Sequence, residues 1–473
     1  MSEVLSEIRF NFEKIGPLHS VDIELSNLTI ICGKNNTGKT YIAHCIYAVL
    51  KELTQPRRAI EFDIPDNLVK ELIVEGQLQV NIADYVGTVD NQLAEFSERF
   101  SARIHNVFGG TEEAFLDSQL EISIGELKQE CWHAGNTTIR LGRKEALKLR
   151  RDPGSEYIEL TALDGFPDEK FQMAPQLIRE WINFSLVWIL LGSVTKRVFV
   201  SSAERTGAAI FQRELDFTRW KMLDLVADRT EKVDPWDIIE TSVSDYPVAV
   251  TANVDFVRDL PNIVKRMSSL STSHPEVLEE LSGIVGGSFE VDDGGITYVP
   301  VPAKGNRKKV RIPISSASST IRSLVDLTYY LTHVAAVGDT LIIDEPEMNL
   351  HPDNQRKIAR VIALLCNLGV RVIITTHSDY LLRELSILTM GFDDPGLLKS
   401  LDESISEEMI LDPSTVNAYV TGQAPVRMAA YKNRVQRLTA RPVPVTVEDG
   451  ISSEVFDEVI DSQNVLFENL HWR

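Results

Sequence analysis

The sequence has little cysteine and no long apolar run. Its four cysteines, Cys32, Cys45, Cys131 and Cys366, form no Cys-x-x-Cys pair, which argues against a disulfide framework and a zinc site. Residues 184–194 are the longest apolar candidate, but they are too few for a membrane span and predict a buried helix. The first residues lack the basic and apolar regions of a secretory signal. We therefore expect a cytoplasmic protein that makes no membrane contact.

The sequence also lacks an excess of positive charge. With 48 basic and 69 acidic residues, its net charge is −21, which opposes nonspecific binding of the whole molecule to nucleic acid. Any DNA contact must come from local basic patches or from a partner, and a solvated basic face is the alternative interpretation of the patches. On a helix, four arginines of the first patch would share one side, opposite Met428, Tyr431, Val435 and Leu438. The patches are Arg427, Lys432, Arg434, Arg437 and Arg441; Lys304, Arg307, Lys308, Lys309 and Arg311; and residues 143–151.

The most informative stretch is residues 30–40, where an apolar strand leads into Gly-x-x-x-x-Gly-Lys-Thr and then into a helical run. A polyphosphate needs several backbone N–H donors aimed at one point, and a tight turn relieved by Gly33 and Gly38 supplies them. Lys39 would reach the β- and γ-phosphates, and the Thr40 hydroxyl would complete a magnesium shell. The stretch predicts a phosphate-binding loop.

Polar side chains also end two later apolar strands. Asp344 and Glu345 follow residues 340–343, at the carboxyl end of a strand where open α/β sheets bind ligands. Asp344 can hold magnesium from its second shell, and Glu345 can orient and polarise an attacking water. His377 follows the next strand, and its imidazole can hydrogen-bond the γ-phosphate or that water. An acidic turn and a structural histidine are the alternatives.

The order of elements predicts an α/β fold. Residues 4–32 have the pattern of three short strands. Residues 340–343 and 370–375 have the pattern of buried strands, and an amphipathic helix is predicted between them at 353–368. Continuous apolar strands separated by a helix indicate parallel pairing. Residues 216–281 are helix-rich and residues 286–310 predict β-hairpins. Residues 55–195 are mixed and lack a sustained heptad, so we expect no long coiled-coil arm.

Three blocks, residues 33–40, 341–352 and 375–382, make the chain resemble the ABC-type branch of P-loop ATPases. More narrowly, it resembles the stand-alone AAA proteins of bacterial phage defence: the overcoming-lysogenization-defect (OLD) nucleases, the Septu ATPase PtuA and the PARIS ATPase AriA. Residues 200–207 add support, since they are similar to a Pro-Ala-Glu-Arg turn of such proteins, with Ser202 in place of the proline. The resemblance implies a mixed sheet with flanking helices and an N-terminal β layer.

The resemblance also implies that ATP and Mg²⁺ are held between two subunits of a homo-oligomer. One subunit would contribute the phosphate loop with Asp344, Glu345 and His377, and the other a signature loop whose candidates are Ser318 and Ser319. Thr320 stands where a glycine is usual, so we expect slow or absent hydrolysis. Ordinary N-capping of a helix is the alternative role for these serines. The ATP-binding residues implied are Gly33, Asn35, Asn36, Thr37, Gly38, Lys39, Thr40, Tyr41, Ser318 and Ser319, with Thr40 and Asp344 for Mg²⁺.

OLD proteins carry a Toprim nuclease domain after the ATPase, whereas the residues after His377 contain no Asp-x-Asp pair of the kind that domain uses. We therefore expect an ATPase without nuclease activity, acting as a sensor and scaffold for a separate HNH or Toprim nuclease. A DNA repair or recombination ATPase of the SMC/RecF-like class, and an ABC transporter subunit, are the alternatives. The predicted units are residues 1–54 and 196–390 (the ATPase head), 55–195 (an insertion) and 391–473 (a tail region for partner docking).

Overall fold

The computed structural model describes residues 7–54, 60–129, 132–141, 144–163, 175–192, 194, 196–210, 246–292, 295–302, 309–427 and 434–452. Some of the sequence-based predictions lie outside these residues. They are the helices expected within 216–245 and, among the patch residues, Arg143, Lys304, Arg307, Lys308, Met428, Tyr431 and Lys432.

A mixed nine-stranded sheet organises the chain, which confirms the predicted α/β fold. Four neighbouring strands, β3, β14, β13 and β9, run parallel to one another, so their carboxyl ends meet at one edge of the sheet. From one side to the other, the strands are β5 (Gln119–Ile124), β1 (Ile8–Ile15), β2 (Leu18–Leu25), β16 (Val435–Val443), β15 (Val416–Val426), β3 (Leu28–Gly33), β14 (Arg371–Thr376), β13 (Thr340–Asp344) and β9 (Val198–Ser201).

The two halves of this sheet bury their residues differently. Every residue of β3, β13 and β14 is buried, and the sheet separates two hydrophobic cores, with Ile31 in one and Ile30 in the other. In contrast, β1 pairs antiparallel with β2 and alternates buried and exposed residues, because only one of its faces is covered. The predicted phosphate loop and acidic residues therefore follow the doubly covered strands.

Helices cover the parallel half of the sheet. The predicted helix at 353–368 is confirmed as α11, and Gly369 follows it with a φ of 87°, which satisfies the expected glycine stop. The helices are α1 (Lys39–Leu53), α2 (Asp66–Glu75), α3 (Ala83–Val86), α4 (Val89–Ser101), α5 (Pro175–Leu191), α6 (Val248–Ile263), α7 (Ser269–Ser273), α8 (Pro275–Val285), α9 (Ser319–Ser323), α10 (Val325–His333), α11 (Pro352–Asn367), α12 (Asp379–Met390) and α13 (Pro395–Leu401). Short 3₁₀ turns are Ile104–Val107, Glu112–Phe115, Ile314–Ser316, Glu407–Met409 and Pro413–Thr415.

The described residues also form three smaller sheets, separate from the nine-stranded sheet. Residues 55–195 contain the four-stranded sheet β4 (Gln77–Asn81), β8 (Tyr157–Ala162), β7 (Lys144–Arg151) and β6 (Gly135–Leu141), and they also lend β5 to the main sheet. Arg151, from the third basic patch, is buried and donates to backbone carbonyls such as that of Trp132 at 2.7 Å, so its role is structural. The predicted hairpin is confirmed by β10 (Gly287–Asp292) and β11 (Gly295–Pro300), next to β12 (Ile312–Pro313); β17 (Val445–Thr446) pairs with β18 (Gly450–Ile451).

The C-terminal stretch corrects one prediction. The helix proposed for the first basic patch is wrong, because β16 forms an antiparallel hairpin with β15 inside the main sheet. Leu438 and Ala440 are two residues apart and pack against a hydrophobic core, as neighbours on one face of a strand do, while Arg437 and Arg441 are exposed. Residues 416–426 and 435–443, which lie in the predicted tail region, are thus strands of the main sheet. Among the described residues, no helix is both long and apolar enough to cross a bilayer.

Candidate nucleotide-binding site

The predicted phosphate loop joins β3 to α1 and is shaped by backbone that only glycine adopts readily. Gly33 and Gly38 have φ values of 148° and 92°. A Cβ added at Gly33 would lie 2.4 Å from Oγ1 of Thr421, and one added at Gly38 would lie 2.6 Å from Cγ of Leu18. Because Gly38 is the N-cap of α1 and offers no side-chain cap, the first N–H groups of this helix are available to an anion.

Lys39 holds a buried position at this loop. Its ammonium group donates to the carbonyl oxygens of Gly33, at 3.1 Å, and Lys34, at 2.9 Å, and the residue is 5% exposed. Burial lowers the pKa of Lys39, and the charge of nearby carboxylates, with Glu345 the largest contributor, opposes that shift. The cation is therefore held by two carbonyls that phosphate oxygens can replace.

Asp344 ends β13 and is completely buried. Its Oδ1 accepts from the hydroxyl of Thr40, at 3.3 Å, and from the hydroxyl of Thr375. Its Oδ2 has no hydrogen-bond partner among the described residues, and Nε2 of His44 lies 3.8 Å away. Burial lowers the pKa of His44, so this imidazole favours the neutral form. His44 was missed by sequence reasoning, although it lies one helical turn after Thr40, on the same face of α1.

Glu345 follows in a strained conformation, with a φ of 54°, which is unfavourable for a residue with a side chain. Its N–H donates to the carbonyl of Thr375 at 3.2 Å, and its Oε1 lies 3.3 Å from Nδ1 of His377. The same Nδ1 lies 3.2 Å from Oε1 of Glu347. The structure therefore brings the predicted pair of Glu345 and His377 together and adds a second carboxylate to it.

Glu347 was not assigned a role from the sequence. Its side chain is 4% exposed, and its Oε1 accepts from the N–H of His377 and the hydroxyl of Thr376, both at 2.8 Å. Burial raises the pKa of Glu347. This carboxyl group fastens the start of the His377 loop to the acidic strand. The Glu-Pro-Glu spacing was the signal available, since it returns a second carboxylate two residues after Glu345.

Arg205 is a third residue whose role sequence reasoning missed, although the turn at residues 200–207 that contains it was noted. It is 4% exposed, and burial lowers its pKa. Its guanidinium donates to four backbone carbonyls: those of Ser202 at 2.9 Å, Ser323 at 3.0 Å, Asp344 at 2.7 Å and Glu345 at 2.7 Å. Arg205 therefore ties the strained acidic turn to α9, the helix that follows the signature-like serines.

The remaining predicted residues lie around this centre. Ser318 caps α9 by accepting from the N–H of Ile321 at 3.3 Å, and Ser319 is exposed beside it. Among the described residues, neither serine side chain makes a hydrogen bond to the phosphate loop of its own chain. Asn35 and Asn36 are exposed. Thr37 donates to the carbonyl of Lys34 at 2.7 Å. The ring of Tyr41 contacts Phe108 of the insertion, with centroids 4.6 Å apart.

A family profile described as "AAA domain, putative AbiEii toxin, Type IV TA system" matches residues 28–383, a span that contains the phosphate loop, the acidic strand and His377. The chain belongs to this family of P-loop ATPases. No curated protein matches the sequence. Membership of this AAA family implies nucleotide binding, typically with Mg²⁺.

Three solved structures are similar to this AAA protein at low identity. The SmcHead bound to the C-winged helix domain of ScpA is 11% identical, covers 92% of this chain and 97% of its own, and has a TM-score of 0.31. The Smc head domain with an extended coiled coil bound to the C-terminal domain of ScpA, derived from Pyrococcus furiosus, is 12% identical. It covers 97% of this chain and 98% of its own, with a TM-score of 0.30. The SMC head domain from Thermotoga maritima is 11% identical, covers 94% of this chain and 100% of its own, and has a TM-score of 0.31. These identities and TM-scores are too low to indicate a function for this protein.

The described residues fit a magnesium-bound nucleotide. Oδ2 of Asp344 is buried and lacks a hydrogen-bond partner among the described residues, and an unsatisfied buried carboxylate oxygen is costly unless a cation or donor reaches it. The hydroxyl of Thr40 lies beside the other oxygen of the same group. Carboxylate and hydroxyl oxygens suit Mg²⁺, which keeps several waters and binds through few protein ligands.

Proposed function

We propose that this protein is an ATP-binding and ATP-hydrolysing sensor and scaffold of an anti-phage defence complex, which self-associates through its ATP sites and controls a separate nuclease. The observation that carries the ATPase part is the convergence of Lys39, Asp344 and Glu345 at one edge of the sheet. The defence part is supported by the resemblance to OLD, Septu and PARIS proteins and by the family description, which names a toxin of a toxin–antitoxin system.

Binding begins with the phosphate loop. The free N–H groups at the start of α1 bind the phosphates, and Lys39 leaves the carbonyls of Gly33 and Lys34 to donate to the β- and γ-phosphate oxygens. Thr40 would hold Mg²⁺ directly and Asp344 would hold it from the second shell, and the ion would supply positive charge that neutralises charge on the phosphate oxygens. Thr375 and Thr40 keep the Asp344 carboxylate oriented by donating to its Oδ1.

Hydrolysis requires a positioned water. Nδ1 of His377 lies within reach of Glu345 and Glu347, so it carries the proton and donates to a carboxylate. In the neutral ring Nε2 is then an acceptor, which favours contact with the attacking water over contact with the γ-phosphate. Glu345 orients and polarises that water for attack on the γ-phosphorus, and the bond to the β–γ bridging oxygen breaks.

The signature-like serines supply the reason for self-association. Ser318 and Ser319 are exposed, and Thr320 donates to the carbonyl of Asn349 at 2.6 Å, which links this loop to the residues that follow the acidic strand. The serine donors are available to the γ-phosphate of a second copy. Because ATP then completes both half-sites, nucleotide binding stabilises the assembled form. The expected partners are a second copy of this chain and a nuclease of the HNH or Toprim type.

Replacing Lys39 by alanine tests this proposal. We expect ATP affinity to fall about 100-fold, because charge-assisted hydrogen bonds to phosphate are lost, and ATP-dependent self-association to disappear. Lys70→Ala, at an exposed residue of α2, is the matched control. Titration calorimetry and light scattering with and without ATP supply the readouts. Unchanged affinity and assembly in Lys39→Ala would contradict the ATP proposal, and metal-dependent DNA cleavage by the isolated chain would contradict the separate effector.

A DNA repair or recombination ATPase is the second candidate, and one observation favours it. Arg427, Arg434, Arg437 and Arg441 are exposed and make no ion pair within the described part of the chain, so they are available to phosphodiester groups. The net charge of −21 opposes it. DNA-stimulated ATP turnover with salt-sensitive DNA binding would favour this candidate over the first.

A further inference from the structure

A threonine from the C-terminal hairpin lies against the phosphate loop. β15 runs parallel to β3, and Thr421 is the residue opposite Gly33. Thr421 is 2% exposed, and its Oγ1 lies 2.6 Å from Oγ1 of Thr37 and 3.2 Å from the carbonyl oxygen of Cys32. Thr421 stands outside residues 28–383, the span that the family profile matches.

The hydroxyl protons can be assigned from these contacts. Each threonine hydroxyl has one proton to donate, and that of Thr37 goes to the carbonyl of Lys34, at 2.7 Å. The one proton of Thr421 can go to Oγ1 of Thr37, at 2.6 Å, or to the carbonyl oxygen of Cys32, at 3.2 Å. The shorter distance favours Oγ1 of Thr37 as the acceptor. The same Lys34 carbonyl accepts from the ammonium group of Lys39 at 2.9 Å. A continuous row of hydrogen bonds thus runs from Thr421 through Thr37 to the carbonyl that holds Lys39.

We propose that Thr421 is a positioning residue of the ATP site: it fixes the phosphate loop in the conformation that binds phosphates. The loop contains two glycines with positive φ, which leave its backbone free to adopt many conformations unless neighbouring atoms restrict it. Thr421 restricts it twice, through its hydroxyl group on Thr37 and through the close approach of its own backbone to Gly33. Restricting a loop in its binding conformation increases affinity, because less entropy is lost on binding.

This inference rests on the proposed ATP binding and adds a residue to it. We expect Thr421→Val, which keeps the shape and removes the hydroxyl, to weaken ATP binding about 3- to 10-fold, as expected for one buried hydrogen bond. Thr421→Ser should restore most of the affinity. Thr439→Val is the matched control, because Thr439 is a buried threonine of the neighbouring β16. Titration calorimetry with ATP and Mg²⁺ gives the affinities, and thermal unfolding without nucleotide checks the fold.

A double-mutant cycle separates positioning from a general loss of structure. Thr37→Val removes the same contact from the loop side, together with the bond to the carbonyl of Lys34, at a partly exposed residue. The double variant should bind ATP no worse than the single variant with the lower affinity. Additive losses, or unchanged affinity in Thr37→Val and Thr421→Val while the unsubstituted chain binds ATP, would overturn this inference alone. An unsubstituted chain that binds no ATP would overturn the proposed function and this inference with it.

Discussion

The two proposed halves of the ATP site are built in opposite ways. Around the phosphate loop, Lys39 and Asp344 are buried, and their hydrogen bonds involve three segments that are distant in sequence: the loop itself, the end of β13 and the end of β14. In the signature-like loop, Ser318 and Ser319 are exposed, and Ser318 bonds only to its own helix among the described residues. A buried polar group must find its partners within the chain, whereas an exposed one remains available to a partner. The first half is complete before assembly, and the second is suited to serve another copy.

Arg205 connects these two halves within one chain. Its guanidinium binds the carbonyls of Asp344 and Glu345 on one side and that of Ser323 on the other. Since the guanidinium group is planar and rigid, a shift of the acidic turn is transmitted to the helix behind the signature-like serines.

The largest effect is expected from Glu345→Gln, which acts on the buried half alone. Turnover should fall about 100- to 1,000-fold, because the water loses its polarising carboxylate, while ATP affinity stays close to that of the unsubstituted chain. Phosphate release and titration calorimetry give the two quantities. Glu403→Gln, at an exposed residue, is the control. Turnover at the original rate would show that Glu345 does not act on the water.

The next effect tests whether the halves come from different copies. Lys39→Ala and Ser318→Ala should each lack turnover alone, yet an equimolar mixture should regain up to about a quarter of the original rate. That value is reached when half of the dimers are mixed, because each mixed dimer has one intact site. Phosphate release from the mixture after subunit exchange measures this. A mixture as inactive as its components would mean that Ser318 serves the ATP of its own chain or none.

A smaller effect is expected from Arg205→Lys, which keeps the charge but cannot reproduce the four hydrogen bonds. Turnover should fall about tenfold, as expected for roughly 1.4 kcal/mol of lost positioning, with ATP affinity changed less than turnover. The same assays apply, with Arg99→Lys on α4 as the control. An equal loss in both variants, or a loss of affinity alone, would contradict a role for Arg205 in holding the acidic turn.

The smallest effect concerns stability at the amino end of β13, opposite the site. Asp339 is 1% exposed and accepts from the N–H of Ala336 at 3.0 Å, and burial raises its pKa to about 6. The folded chain therefore holds this proton more tightly than the unfolded chain, whose value is near 3.8, so this group's contribution to the free energy of unfolding falls as pH rises from about 4 to 6.

Asp339→Asn should remove that contribution, which is at most about 3 kcal/mol. Urea midpoints at pH 5 and pH 7 measure it: the unsubstituted chain should lose more stability between these values than Asp339→Asn does. Asp393→Asn, at an exposed residue, should behave as the unsubstituted chain. Identical pH dependence in all three proteins would mean that Asp339 is ionised at both pH values.

Sequence reasoning succeeded where the signal is local. The buried strands and the helix that Gly369 terminates both follow from spacing within a few residues. It failed for the first basic patch, whose arginines recur at helical intervals although the segment is a strand. Pairing with β15 and β2 determines the strand conformation of β16, since packing against neighbouring strands overrides the weak conformational preference of a short segment.

By itself, the sequence determined which residues end the parallel strands and, through two glycines before Lys39, where a phosphate loop forms, because turn geometry and strand burial depend on neighbours along the chain. Only the tertiary structure decided that Thr421, Arg205 and Glu347 complete this site. Thr421 and Arg205 reach it across more than a hundred positions of sequence, and buried donors and acceptors choose partners by position in space, which no local spacing encodes.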